Sequence, residues 1–134
     1  MSNEHKIHTL TSDNFSKQVL EGSCPVLVDF WADWCAPCHR VAPHVEQLAQ
    51  TYGGQLTVGK VNIDEEPELA RSYGIRSIPA MLIFRDGEVV EQIVGAVPFK
   101  QLSTSVENVL AASSLTPDEV PGTADDACVA SPAG

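Results

Sequence analysis

Apolar residues follow two different spacings along this chain, and the change from one spacing to the other divides the chain into elements. Short apolar runs rich in β-branched residues are typical of strands, whereas apolar residues that recur every three or four positions are typical of helices. The strand-like runs lie at residues 7–10, 25–32, 56–63, 80–84 and 89–94. The helix-like stretches lie at about residues 12–20, 39–52, 65–73 and 99–110. The order βαβαβαββα predicts an α/β fold, in which a mixed central β-sheet has helices on both faces.

Glycine, proline and charge mark several boundaries between these elements. The pair Asp86-Gly87 separates the last two strand-like runs and is a strong hairpin sequence. Pro43 lies inside the second helix and predicts a kink there. The composition then changes near the end, because residues 113–134 contain three prolines and four acidic residues but no lysine or arginine. We therefore predict one domain at residues 1–112, followed by a disordered acidic tail at 113–134.

Charge and composition exclude several kinds of partner. The 134-residue chain carries a formal net charge of −10, and nucleic acids and anionic membranes both select basic surfaces. The sequence has no run of about 18 apolar residues that would span a membrane. Residues 1–6 also lack the basic and apolar regions that begin a signal peptide. We therefore expect a cytoplasmic protein that binds neither nucleic acid nor membrane, and we expect it to be a monomer.

Two of the four cysteines stand where the central apolar run gives way to a helix. Residues 26–31 have the character of a strand buried on both faces, and Cys35-Ala36-Pro37-Cys38 follows shortly after them. Two residues between cysteines is the spacing of a reversible dithiol/disulfide. A helix N-terminus favours a thiolate, so Cys35 is the expected nucleophile. Cys38, one turn further along, is the expected resolving thiol, and Pro37 stiffens the turn.

A single carboxylate, that of Asp29, lies inside the same buried run. A buried carboxylate is costly unless it is neutral, paired or chemically useful. Burial should raise its pKa, so that Asp29 can take the proton of Cys38 when the second thiol attacks. Lys60, on the next predicted strand, is its expected charged neighbour. The alternatives are a satisfied structural carboxylate at Asp29 and a solvated lysine at Lys60.

Several separated segments, in the same order along the chain, resemble the thioredoxin family. They are residues 26–38 around the cysteine pair, 60–64 (Lys-Val-Asn-Ile-Asp), 73–79 (Tyr-Gly-Ile-Arg-Ser-Ile-Pro) and 94–96 (Val-Gly-Ala). The resemblance covers about residues 7–112, which makes it far more specific than a lone pair of cysteines. It implies the thioredoxin fold, with a cis peptide bond before Pro79 and with Pro79 lying against the dithiol.

The resemblance also implies a flat apolar surface, which we call the client surface, that grips the disulfide segment of another protein. Its residues are Trp34, Ile63, Ile78, Pro79, Gly95 and Ala96. Backbone groups at Ile78 would pair with an extended client segment as an added strand does. Trp31 would pack near Asp64 and support the site. A surface of this kind selects disulfides that other proteins expose.

The function implied by the resemblance is reduction of protein disulfides by a Cys35–Cys38 dithiol. A thioredoxin reductase drawing on NADPH would recharge the oxidised pair, so no bound cofactor is needed. Within redox chemistry, the alternative is an oxidase or isomerase. From another class, the alternative is a binding subunit or holdase that uses the client surface without turnover. Such a protein would keep its partner when both cysteines become serine.

The chain departs from the family pattern at two positions beside the cysteines. Ala36 stands where the family usually has glycine, and its methyl group stiffens the turn, so we expect an altered reduction potential. His39 stands where the family usually has lysine or arginine. We expect thiolate reactivity to fall more steeply between about pH 6 and 8 than in a His39→Lys variant. A solvated surface histidine is the alternative.

The remaining cysteines and histidines admit other interpretations. The run from Cys35 to His39 matches the attachment pattern of c-type haem, but we expect no signal peptide and the motif closes a predicted buried strand. These cysteines and the nearby histidines also suggest zinc, but no second paired module accompanies them, so we expect no metal site. Cys24 and Cys128 are expected to be either an accessory oxidised pair or two incidental thiols.

Overall fold

The computed structural model describes residues 7–21 and 24–113, with side chains described up to residue 111. Five strands form one sheet: β1 Ile7–Thr9, β2 Val26–Trp31, β3 Thr57–Asn62, β4 Ala80–Arg85 and β5 Glu88–Val94. The helices are α1 Ala36–Thr51, α2 Pro67–Ser72 and α3 Phe99–Ser113, and a π-helical segment spans Ser16–Leu20. The predicted α/β class with a mixed sheet is confirmed.

The sheet has the order β1-β3-β2-β4-β5, which puts β2 at its centre. β1, β3 and β2 run parallel, whereas β4 is antiparallel to both of its neighbours, β2 and β5. Five of the six residues of β2 are buried, as expected for an apolar strand covered on both faces. In the register of the sheet, Asp29 lies opposite Lys60 of β3 and Met81 of β4. The central strand therefore carries its carboxylate into the interior.

Two apolar cores lie on opposite faces of the sheet, because successive side chains of a strand point to opposite sides. Leu27 of β2 packs with Val45 of α1 and Val106 of α3 in one core. Val28, the next residue along β2, belongs to the other core, together with Phe15. Position 29 alternates back to the face covered by α1 and α3. Asp29 and the helix that begins at the cysteine pair therefore share one side of the sheet.

The β4–β5 connection is the tight hairpin that Asp86-Gly87 predicted. Arg85 pairs with Glu88, so only two residues form the turn. Both have positive φ angles, 56° at Asp86 and 82° at Gly87, which is the requirement of a type I′ turn. A Cβ atom at Gly87 would also lie 3.1 Å from the carbonyl oxygen of Leu20. Glycine is needed there for both reasons.

Two predicted helices are shorter in the structure than in the sequence analysis. Before the π-helical segment, Asn14 Oδ1 accepts the N–H of Thr11 at 2.8 Å and Asn14 Nδ2 donates to the carbonyl of Thr9 at 3.0 Å. Before α2, Asn62 Oδ1 accepts the N–H of Asp64 at 2.9 Å. Such bonds between side chain and backbone hold these residues in turns and delay the helices. The helix α1 is continuous across Pro43.

Residues 1–6, 22–23 and 114–134 lie outside the described residues. The predicted acidic tail from residue 114 onwards falls there, as does Cys128 with its suggested pairing to Cys24. The domain boundary at residue 112 stays a prediction, and α3 extends to Ser113. In the two described ranges, no helix is long and apolar enough to cross a membrane.

Candidate active site

The cysteine pair sits at the start of α1, directly after the central strand. Cys35 is the N-cap residue, with extended backbone angles of φ −95° and ψ 103°. Its sulfur accepts the N–H of Cys38 at 3.2 Å, so it takes up one of the free N–H groups at the end of the helix. Cys35 and Cys38 form a disulfide, with their Cα atoms 5.3 Å apart. The N–H of Cys38 that this sulfur accepts would also stabilise the Cys35 thiolate.

The disulfide is covered on several sides by apolar residues. Cys35 is 4% exposed and Cys38 is 3% exposed. Both cluster with Ala32, and the partly buried side chains of Ile63 and Ile78 pack against this cluster. The pair is therefore buried among apolar side chains and does not lie on an open loop.

The loop before β4 lies next to the disulfide. The peptide bond between Ile78 and Pro79 is cis, as the resemblance to the thioredoxin family implied. The carbonyl oxygen of Ile78 lies 3.8 Å from Cys35 Sγ. The N–H of Gly95 donates to the carbonyl of Pro79 at 2.8 Å, which joins this loop to the end of β5. The backbone at Ile78 is thus adjacent to the attacking sulfur.

The residues expected in the client surface differ in exposure. Trp34 is 67% exposed, and Ala96 is also exposed. Ile63, Ile78 and Gly95 are half-buried, whereas Pro79 is buried, so it contributes support more than surface.

The indole Nε1–H of Trp34 donates to Asp64 Oδ2 at 2.9 Å, which fixes an otherwise exposed ring. The packing of Trp31 near Asp64 stays a prediction, and the indole that is hydrogen-bonded to this carboxylate is that of Trp34.

Asp29 is the buried charged residue of the site. It is 1% exposed, and its Oδ1 atom has no hydrogen-bond partner within the described part of the chain. Burial raises the pKa of this carboxyl from 3.8 to about 6, and the charge of Lys60 lowers the pKa against that larger effect. The expected rise in pKa and the expected influence of Lys60 are both confirmed. Asp29 can therefore exchange a proton near neutral pH.

A row of three side chains runs beside the disulfide. Lys60 Nζ lies 5.0 Å from the centre of the Trp31 ring, in position for a cation–π contact. The imidazole of His39 meets the same ring edge to face, with centroids 6.3 Å apart and an interplanar angle of 77°. His39 Nε2 lies 2.8 Å from the carbonyl oxygen of Asp33. The carbonyl partner of His39 cannot be read from the sequence.

Within the described ranges, no group of three or more histidine, cysteine, aspartate or glutamate residues could hold a metal ion. The chemistry that the site does support is exchange between a dithiol and a disulfide. It offers a sulfur at a helix N-terminus, a second sulfur one turn away, and a buried carboxyl group that titrates near neutrality.

Comparison with known proteins agrees with this chemistry. A family model described as Thioredoxin matches residues 6–108. Thioredoxin 1 of Synechococcus elongatus is 52% identical over 101 residues, which are 75% of this chain and 94% of that protein. The thioredoxin of Synechocystis sp. is 50% identical over 97 residues, 72% of this chain and 91% of that protein. The chloroplastic M-type thioredoxin of Spinacia oleracea is 45% identical over 105 residues, 78% of this chain and 58% of that protein. The chain thus has the thioredoxin fold and belongs to the thioredoxin family of protein-disulfide oxidoreductases.

Proposed function

We propose that this protein reduces disulfides of other proteins, with Cys35 as nucleophile and Cys38 as resolving thiol. The thiolate of Cys35 attacks one client sulfur, forms a mixed disulfide and releases the other client sulfur as a thiolate. The thiolate of Cys38 then attacks Cys35 Sγ and releases the second client thiol, so two electrons pass to the client. The observation that carries this assignment is the position of Cys35 as the N-cap of α1, where its sulfur accepts a helix N–H.

Asp29 is proposed to take the proton of Cys38 during the second step. A base is effective when its pKa lies near the working pH, and burial brings Asp29 to about 6. Lys60 is proposed to keep that pKa from rising further, since its charge favours the carboxylate. The placement of Asp29 on the side of the sheet that α1 covers supports this role.

The proposed client surface comprises Trp34, Ile63, Ile78, Pro79, Gly95 and Ala96. Ala36 and Pro37 complete the turn between the cysteines. An extended client segment would lie along the Ile78 loop and form backbone hydrogen bonds there, as in strand addition. The proximity of the Ile78 carbonyl to Cys35 Sγ, at 3.8 Å, supports this arrangement because it would hold a client sulfur close to the nucleophile.

We further propose a cytoplasmic monomer that a thioredoxin reductase recharges with electrons from NADPH, without a bound cofactor on this chain. The bacterial relatives, which are themselves thioredoxins, support this assignment, although another relative is chloroplastic. Residues 1–112 are proposed to carry the activity, and the family match at residues 6–108 supports that boundary. A non-catalytic binding subunit or holdase is not favoured, because the chain belongs to an oxidoreductase family.

The test is reduction of insulin by the protein, a thioredoxin reductase and NADPH, followed for the wild type and for Cys38→Ser. We expect turnover by the wild type and its loss in the variant, which should instead accumulate a mixed disulfide through Cys35. Cys24→Ala is the matched control, because Cys24 lies before the other end of β2, and it should retain turnover. A wild type that reduces no insulin although its Cys35–Cys38 disulfide is reducible would contradict the proposal.

A further inference from the structure

His39 makes a contact that the thiol chemistry does not require. It follows Cys38 in α1, its imidazole is exposed, and its Nε2 atom lies 2.8 Å from the carbonyl oxygen of Asp33. A carbonyl oxygen can only accept a hydrogen bond, so Nε2 must carry the proton. The bond is therefore available to the Nε2–H form of the neutral ring and equally to the protonated ring.

The carbonyl that His39 binds belongs to the peptide group joining Asp33 to Trp34. The turn around this peptide is fixed on both sides. The N–H of Cys35 donates to the carbonyl of Ala32 at 3.2 Å, and the indole of Trp34 donates to Asp64. The His39 bond contacts the Asp33–Trp34 peptide itself, and this peptide leads directly into the Cα atom that carries the Trp34 side chain.

The imidazole is held in place for this contact. Its edge-to-face packing on Trp31, whose ring also lies under Lys60, restricts the rotation of the His39 side chain. A lysine or arginine at this position has more rotatable bonds and would lose more conformational entropy to make the same hydrogen bond. Histidine therefore provides a rigid donor.

We propose that His39 is a positioning residue for client binding: it orients the Asp33–Trp34 peptide and so presents Trp34 before a client arrives. A binding surface that is ordered in advance pays less entropy on association. This inference rests on the proposed function, because it assumes that Trp34 contacts clients. It predicts that loss of the His39 bond weakens the capture of protein disulfides much more than it changes the reaction of the sulfurs with a small disulfide at the same pH.

Two substitutions separate the hydrogen bond from the ring. His39→Phe keeps an aromatic ring against Trp31 but removes the donor, whereas His39→Gln removes the ring but keeps an N–H donor at a similar reach. Single-turnover oxidation of the reduced proteins would be followed against insulin concentration. In parallel, their reaction with the small disulfide DTNB would be followed, because DTNB does not need the client surface.

For His39→Phe, we expect the half-saturating insulin concentration to rise about three- to tenfold, the effect of one lost hydrogen bond. The maximal rate and the DTNB rate should stay within about twofold of the wild type, and His39→Gln should remain close to the wild type throughout. An unchanged half-saturation in the Phe variant overturns the proposal, and so does an equal slowing with DTNB. A wild type that fails to reduce insulin would contradict the proposed function instead.

A measurement on the unmodified protein does not depend on how the variants fold. Long-range ¹H–¹⁵N correlation of the histidine side chains at about pH 8 reports which nitrogen of a neutral ring is protonated. We expect the Nε2–H form for His39, since that nitrogen faces the Asp33 carbonyl. A predominant Nδ1–H form would leave no donor for this carbonyl and would overturn the inference.

Discussion

The carboxyl group of Asp29 is close to half-ionised near pH 6, although an ordinary aspartate is almost fully ionised there. Its position explains this, since it is 1% exposed on the central strand and Lys60 only partly offsets the cost of burying its charge. Above a pH of about 6, the ionised carboxylate therefore lowers the stability of the folded protein. Buried groups with shifted pKa values are often functional, and proton transfer from a buried thiol is one such function.

The difference in the free energy of unfolding between an Asp29→Asn variant and the wild type should therefore depend on pH. The folded-state pKa of Asp29 is raised, so the wild type is favoured below the unfolded value of 3.8 and loses that stability as pH rises through about 6. Between pH 4 and pH 8, the free energy of unfolding of the Asn variant should gain on that of the wild type by about 2.4 kcal/mol, because part of the effect of the raised pKa already occurs below pH 4.

Urea unfolding of both oxidised proteins at these two pH values measures this difference. Asp33→Asn, which removes an exposed carboxylate near the same site, is the matched control for the loss of one carboxylate. If the difference between Asp29→Asn and the wild type is the same at pH 4 and pH 8, the carboxyl group of Asp29 does not have a raised pKa.

Single residues differ in how far their roles can be read from sequence. Cys35 and Cys38 can be read from spacing and position, and Asp29 from the physical cost of a carboxylate inside an apolar strand. The contacts of Trp34 and His39 could not be read, because one partner is a side chain 30 positions away and the other is a backbone carbonyl. Residue type indicates which bonds a side chain can make, whereas the folded backbone decides which bonds it makes.

At the scale of elements, the strand β1 is held by unusually close packing. It has only three residues, and Leu10, which follows it, is buried and packs directly over Gly59 of β3. A Cβ atom at position 59 would lie 2.5 Å from Leu10 Cδ1 and 2.7 Å from its Cγ. The short edge strand thus depends on a position where the neighbouring strand has no side chain.

Gly59→Ala should destabilise the protein by about 1–3 kcal/mol, the usual cost of overpacking a core. The same substitution in a Leu10→Ala background should cost much less or even stabilise, because the clashing atoms are gone and alanine suits a strand better than glycine. Denaturant unfolding of the wild type, both single variants and the double variant measures the coupling. Equal costs in the two backgrounds would show that the Leu10–Gly59 contact is not the cause.

Strands were easier to predict than helices in this chain. The apolar runs that predicted β2, β4 and β5 agree with the structure to within about two residues, because burial on one or both faces leaves a direct mark on composition. The predicted helices at 12–20 and 65–73 begin late, since Asn14 and Asn62 bond to nearby backbone groups that a helix would otherwise use. These bonds compete locally with the bonds of a helix, but the residue at which each helix begins also depends on the strand that precedes the turn.

At the scale of the whole molecule, the chain carries a formal net charge of −10. The field of such a charge acts at a distance on any charged reactant and is screened by salt. We expect the rate of reaction with the dianionic disulfide DTNB to rise as ionic strength increases from 10 to 500 mM, and the rate with the dicationic cystamine to fall, each by about two- to fivefold.

Stopped-flow oxidation of the reduced protein measures both rates under pseudo-first-order conditions. The neutral disulfide of mercaptoethanol is the control, and its rate should change little with salt. If the rates with all three disulfides change with salt in the same direction, salt acts on the protein itself. Such a result would contradict an effect on the approach of charged reactants.

The burial of the Cys35–Cys38 disulfide affects how fast small thiols in solution can react with it. With only 4% and 3% of these residues exposed, a passing small thiol rarely meets either sulfur in line with the bond it must break. The oxidised pair is therefore reduced slowly by small thiols in the surrounding solution. A protein partner that fits the apolar surroundings can align its thiolate with the bond, so selectivity for the reductant comes from access and kinetics, and the pair can hold an oxidation state that differs from that of the surrounding thiols.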